Sequence, residues 1–251
     1  MSDYQTALST YDAESVTVRD RDLTSEIMGE LDFGSTTYLL LKGTPPRDGE
    51  GRLVNAMLAS LMVHGVTPHA LAARLTYLAE PESIQGAVAS GLLGVGTRYV
   101  GAMQECAAVL QAAGSEPDRE SAVRAIVSEY AERGDPFPGI GHPFHKPVDP
   151  RAERLFALAE EEGLAGDHVA LVRDVQSAFE ERTGKELPVN VTGAIAAVCS
   201  DIDLPPEAAR GLAVISRATG LVAEVIEEQS RPIAADVWHR TQERMTYSGD
   251  R

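Results

Sequence analysis

The chain has 251 residues, 43% of them hydrophobic, enough to bury a sizeable core as one large domain or two modest ones. Its 38 acidic against 22 basic residues give a formal charge of -16, a field that repels nucleic acid and anionic lipid surfaces, so neither is an expected partner. Only 5% of residues are aromatic, and an apolar set rich in Ala, Leu and Val suits close-packed helices better than stacked sheets.

Lysine is confined to Lys42, Lys146 and Lys185, and this acidic surface fits either heavy hydration in high salt or an ordinary solvated exterior. Cys106 and Cys199 have no CxxC spacing and no histidine pattern beside them, so neither a metal site nor a disulfide framework is expected, and a reducing cytoplasm fits. Met1 to Thr10 lacks a basic start and an apolar core, and no apolar run is long enough for a membrane span.

In chain order, Asp12 to Asp22 alternates and predicts a short strand or hairpin arm. A helix then ends near Gly43, and a second, after Pro45-Pro46, runs to His64. Pro68 opens a helix through Leu78, and Pro81 begins a long segment rich in Gly and Ala that permits close helix approach. Glu116 to Arg133 reads as a polar amphipathic helix. The Pro- and Gly-rich stretch GDPFPGIGHPFHKPVDPR reads as a loop, and loops of that length inside a compact domain are usually functional.

Arg151–Glu162 and Asp167–Thr183 read as charged helices, the segment after Leu187 as an apolar core helix, and Glu207–Glu228 as a last long helix ending before Arg231-Pro232. The charged block lies between two apolar ones, which predicts a large helical domain over residues 1–103 and 189–251 with a smaller helical domain, 104–188, inserted in it. The expected class is all-α.

PGIGHPFHKPVDPR carries the densest chemistry. Gly139 and Gly141 let the backbone approach a ligand, while His142, His145, Lys146 and Arg151 offer donors to carboxylates or phosphates. A stiff surface turn with solvated histidines accounts for the same residues. His64 either faces a cavity or caps its helix, His69 reads as an exposed residue of a first helical turn, and Arg231 can pair with Glu227 or Glu228 at the surface.

The order of these pieces resembles the citrate synthase superfamily, in a pattern nearest that of the stand-alone citryl-CoA lyases. FGSTTYLLLKGTPPRDGE is similar to the early helices of that family, and HGVTPHALAAR to its DHG motif with ALAAR or TFAAR. SGLLGVGTRYVGAM resembles the segment ending HGGA, and PGIGHPFHKPVDPRA resembles PGFGHRVH or PGFGHRVYK followed by DPRA. LPVNVTGAIAAV is similar to LPINVDGAIAAV, and ISRATGLVAEVIEEQSRPI to the last helix and its arginine. The likeness runs collinearly from about Asp12 to Ile233.

The resemblance implies a citrate synthase-like all-α fold and a homodimer that makes or cleaves a carbon-carbon bond between an acyl-CoA and an oxo acid. No cofactor is permanently bound, and the CoA thioester is substrate. It assigns catalysis to His64, His142, Tyr99 and Thr192, substrate carboxylates to His64, His142, Arg151 and, from the partner subunit, Arg231, and the CoA contact to Pro138, Gly139, Ile140, Gly141 and Lys146. Four positions depart from the pattern: Thr192 stands where the family has aspartate, Tyr99 where HGGA has histidine, Val63 where DHG has aspartate and Pro143 where GHR has arginine. Threonine does not exchange protons near neutral pH, so a catalytically impaired CoA- or citrate-binding paralogue is the alternative.

Overall fold

The computed structural model describes residues 4–249, without the side chains of 97–99. Among the described residues the regular structure is helical apart from one antiparallel ribbon, β1 (Ser9–Tyr11), β2 (Val16–Val18) and β3 (Arg21–Asp22). The Asp12 carboxylate accepts the N–H groups of Glu14 and Ser15 and shapes the first turn. Arg19 and Asp20 join β2 to β3 with φ of 49° and 62°, the doubly left-handed conformation that matches strand twist in a two-residue hairpin.

Eleven helices follow among the described residues: α1 (Phe33–Lys42), α2 (Glu50–Leu61), α3 (Pro68–Ala79), α4 (Ile84–Leu93), α5 (Ala102–Gly114), α6 (Arg119–Arg133), α7 (Pro150–Glu161), α8 (Asp167–Thr183), α9 (Val191–Asp201), α10 (Pro206–Ser230) and α11 (Ala234–Arg244). Their boundaries follow local chemistry. Asp32, Thr67, Ser83, Asp118 and Asn190 cap first turns with side-chain oxygens, and Gly43, Gly134 and Gly184 end helices in left-handed conformation. The expected long segment after Pro81 is instead α4, a π-helical turn (Gly96–Gly101) and α5; Gly94 caps α4, and Gly96 turns the chain with a φ of 42°. α11, which no pattern after Pro232 announces, starts where the Glu228 carboxylate accepts the Ile233 and Ala234 N–H groups.

The packing divides the chain into two units, residues 1–60 with 101–212, and 61–100 with 213–251. The block 104–188, expected as an inserted domain, lies wholly within the first unit. There α9 is the central helix, packed on α5, α7 and α8, with Ala194 to Cys199 completely buried. A helix apolar on all sides belongs in such a place. Cys106 and Cys199 are buried free thiols, Cys199 lying 3.6 Å from the Met57 sulfur. At the far end of α9, Asp201 accepts the N–H groups of Gly166, His168 and Val169 and thereby starts α8.

In the second unit α3 and α4 pack together, and Ala70, Ala73, Ala87, Leu221 and Val225 form a small core. His69 was expected to be exposed and is 4% exposed. The reason is the glycines of α4: a Cβ on Gly91 would lie 2.9 Å from the His69 carbonyl oxygen, and one on Gly94 would lie 3.4 Å from the His69 Cα, so this helix lies directly over the histidine. Arg74, 2% exposed, donates to Glu224 at 2.6 Å, Glu227 at 2.5 Å and Glu228 at 2.8 Å. Glu228 also accepts the N–H groups of Ile233 and Ala234, which starts α11.

Candidate active site

The loop between α6 and α7 is anchored at its start by Phe137, whose ring lies 5.0 Å from Tyr130 and 5.8 Å from Phe179. It then runs against the segment leading into α9. Gly141 N–H donates to the Pro188 carbonyl at 2.7 Å, Asn190 N–H donates to the Gly139 carbonyl at 2.9 Å, and the Asn190 side-chain amide donates to the Gly141 carbonyl at 2.7 Å. Asn190 Oδ1 meanwhile accepts from the Thr192 and Gly193 N–H groups, so one side chain ties the loop to the first turn of α9. Gly139 and Gly141 take φ of 96° and 86°, conformations that side chains other than glycine rarely adopt. A Cβ on Gly139 would lie 2.6 Å from the Gly193 Cα, so at this crossing the two backbones are in direct contact.

His142 follows, half-buried. Its Nδ1 accepts the N–H groups of Phe144 at 3.1 Å and His145 at 2.9 Å, and the His145 ring lies 4.4 Å away. With Nδ1 occupied as an acceptor, the neutral ring carries its proton on Nε2. His142 is thus set as a hydrogen-bond donor at Nε2.

Asp149, fully buried, closes the loop. Its carboxylate receives Arg151 Nε at 3.0 Å, Arg151 Nη2 at 2.8 Å, the Arg151 backbone N–H at 3.0 Å and the Val191 N–H at 3.0 Å. The bidentate pair orients the Arg151 guanidinium and fixes it to the start of α9. Burial pushes the Asp149 pKa up, but the hydrogen bonds and charge of Arg151 and the Val191 N–H outweigh it, and the net shift is down.

A depressed carboxylate contributes stability above its unfolded pKa and loses it as pH falls through the folded value, here below about pH 4. Asp149→Asn is therefore expected to lose about 3 to 5 kcal/mol of unfolding free energy at pH 7 and to flatten the acid limb of the stability curve. Urea denaturation between pH 3 and 7 measures both, and an unchanged acid limb would contradict this role.

Among the sequence-selected residues the first unit therefore joins Gly139, Ile140, Gly141, His142, Arg151 and Thr192 around the N-terminus of α9. Pro138 is half-buried in the same loop, Lys146 is exposed at its far side, and Thr192 is half-buried in the first turn of α9. The Tyr99 side chain lies outside the described residues. His64 and Arg231 belong to the second unit. His64 is exposed in the turn before α3 and lines a small cleft with Thr67, His69, Arg217 and Glu224. The exposed side chain of Arg231 lies 4.0 Å from Glu227.

Arg217 was not singled out from sequence, and His69 was considered there only as an exposed alternative to His64. His69 bonds through Nε2 to the Thr67 hydroxyl, and burial and then the Arg217 charge lower its pKa to about 4, so it is neutral at pH 7. The available signal was the ISRATG run, which carries Arg217 on α10.

Residues 4–235 match the family described as citrate synthase, C-terminal domain. Among solved structures, the citryl-CoA lyase from Hydrogenobacter thermophilus superposes with a TM-score of 0.89 at 31% identity, covering 100% of this chain and 96% of that one. The ATP citrate lyase from Methanothrix soehngenii, solved with citrate and coenzyme A, gives a TM-score of 0.81 at 19% identity over 100% of this chain and 42% of its own, a likeness of fold. A curated relative from Mycobacterium tuberculosis, "Putative citrate synthase 2", is 26% identical over 182 residues, 70% of this chain. The chain spans about half, 47%, of that relative's length. With its family match running over nearly all of its length, this chain belongs to the citrate synthase family.

Proposed function

We propose that the protein makes or cleaves the carbon-carbon bond between an acyl-CoA and an oxo acid, with citryl-CoA going to acetyl-CoA and oxaloacetate, or a close analogue, as the reaction. The observation that carries this reading is the likeness to a citryl-CoA lyase along both whole chains. The site chemistry agrees with it. In cleavage the bond between the thioester α-carbon and the carbinol carbon breaks, its electron pair stays as the thioester enolate, and the hydroxyl loses its proton as the oxo group forms. The α-carbon then takes a proton to give acetyl-CoA.

In this reading His142 Nε2 works at the oxygen of the oxo or hydroxy acid. In condensation Nε2 gives its proton to the oxygen as the carbon-carbon bond forms, the two N–H groups on Nδ1 holding the tautomer and stabilising the negative charge left on the ring, and in cleavage the same nitrogen takes the hydroxyl proton back. Arg151 takes a substrate carboxylate, His64 and Arg231 hold further ones, and Pro138 to Gly141 with Lys146 contact CoA. Thr192 offers a hydroxyl to the enolate from the first turn of α9, where the helix dipole favours negative charge. His145, its ring 4.4 Å from that of His142, is a second imidazole beside the site. The reading includes a cytoplasmic homodimer, supported by exposed Leu75, Leu78, Val222, Ile226 and Trp238 on helices of the second unit.

The test is thiol release and product mass spectrometry with citryl-CoA, and with acetyl-CoA plus oxaloacetate, on wild type and Thr192→Asp. Turnover by wild type is expected. Silence in wild type with activity in Thr192→Asp would reject the reading and favour a binding paralogue that has lost its acid.

A further inference from the structure

We propose that Arg74 is a positioning residue for carboxylate binding: by holding Glu227 and Glu228, it keeps the Arg231 charge uncancelled and the turn that carries Arg231 fixed. This rests on the reading above only in taking Arg231 to bind a substrate carboxylate. Arg74 lies on α3, about 150 residues from its partners in sequence, and its guanidinium donates to three carboxylates of α10. Two of these connect to Arg231.

Glu227, half-exposed, stands between two cations, 2.5 Å from Arg74 and 4.0 Å from Arg231. The short contact belongs to the buried arginine, so the carboxylate is largely neutralised before it reaches Arg231. Without Arg74, Glu227 has Arg231 as its partner, and an internal carboxylate then competes with the substrate's. Glu228, 5% exposed, gives one oxygen to Arg74 and the other to the Ile233 and Ala234 N–H groups. Those two bonds fix the chain immediately after Arg231-Pro232. Removing Arg74 leaves this buried carboxylate without its counter-charge and the turn without a held acceptor.

A purely structural role for Arg74 makes a different prediction from a positioning role, and steady-state kinetics with citrate titration calorimetry separates them. Arg74→Met is expected to raise KM for the oxo acid, and Kd for citrate, about tenfold with kcat within about twofold, the scale of one charged hydrogen bond. Adding Glu227→Gln removes the competing carboxylate, and the double variant should recover most of that loss. Arg74→Met that lowers the thermal midpoint but leaves Kd unchanged, or a double variant with no recovery, would overturn the proposal.

Should Arg74→Met not fold, Glu227→Gln alone decides. With Arg74 already holding Glu227, citrate binding within about twofold of wild type supports the proposal, and binding clearly tighter, which would mean that Glu227 still cancels the Arg231 charge, or clearly weaker rejects it. Calorimetry needs no turnover, so a wild type inactive on both CoA substrates would sink the functional reading and still leave Arg74 tested. Wild type that binds no citrate rejects the positioning role itself.

Discussion

Replacing His142 by asparagine is expected to lower kcat by about 10²- to 10⁴-fold while leaving the fold intact. The choice of asparagine matters because His142 does two things. Its Nδ1 accepts two backbone N–H groups and so holds the turn to His145, which leaves the proton of the neutral ring on Nε2. Asparagine can keep the first role through its side-chain oxygen and has nothing at the position of Nε2. His142→Ala loses both, so it should match the asparagine variant in kcat but show a lower thermal midpoint. Steady-state rates with citryl-CoA, together with melting curves, distinguish the two roles. An asparagine variant within about threefold of wild type would remove His142 from the chemistry.

The second large effect is expected at Gly139. Alanine there meets the Gly193 Cα at 2.6 Å and the Gly193 nitrogen at 2.9 Å, both backbone atoms of the buried helix α9, and must also adopt a φ of 96°. Neither neighbour is a flexible side chain that can swing aside. The cost is about 3 to 5 kcal/mol from strain and overpacking, or else the loop lifts and takes His142 with it, at about 10²-fold in rate. Gly141→Ala is the internal control. It shares the positive φ, but its Cβ would meet only Leu187 at 3.9 Å, so it should cost about 1 to 2 kcal/mol. Urea midpoints for the two variants check this, and equal losses would mean that the crossing with α9 is not the constraint.

What could be read from the chain beforehand follows from how local each cause is. α8 was expected at its observed bounds because a polar-apolar rhythm ends on Gly184. The GIGH-to-DPR loop stood out because its glycines and prolines are needed by the backbone itself. His69 was misjudged because Pro68 and Thr67 mark a helix start, which usually faces water, and the cover comes from glycines more than twenty residues later. The Arg74 cluster was invisible for the same reason, since its partners lie about 150 residues along the chain, and so was the bond that ties Asp149 to the Val191 N–H, 42 residues away. Domain edges drawn from charge did not fall where the packing divides, because α9 is enclosed by α5, α7 and α8 and keeps the charged block in its own unit. The changed residues of the site, Thr192 above all, sit on a backbone that follows the family throughout.

The two cysteines turn this architecture into something that can be watched in solution. Burial pushes the Cys199 thiol up to about 12, and burial with the neighbouring Glu105 pushes Cys106 higher still, so the native protein should be inert to alkylating and disulfide reagents at neutral pH. Cys106 lies beneath the loop between α6 and α7, its sulfur 3.0 Å from where a Cβ of Gly139 would be, whereas Cys199 lies deep in α9 against Met57. Labelling of Cys106 thus times the lifting of one loop, and labelling of Cys199 times the opening of the whole helical core. The interval between the two rates is the free-energy gap between a breathing motion and unfolding, recorded by the protein's own sulfur atoms.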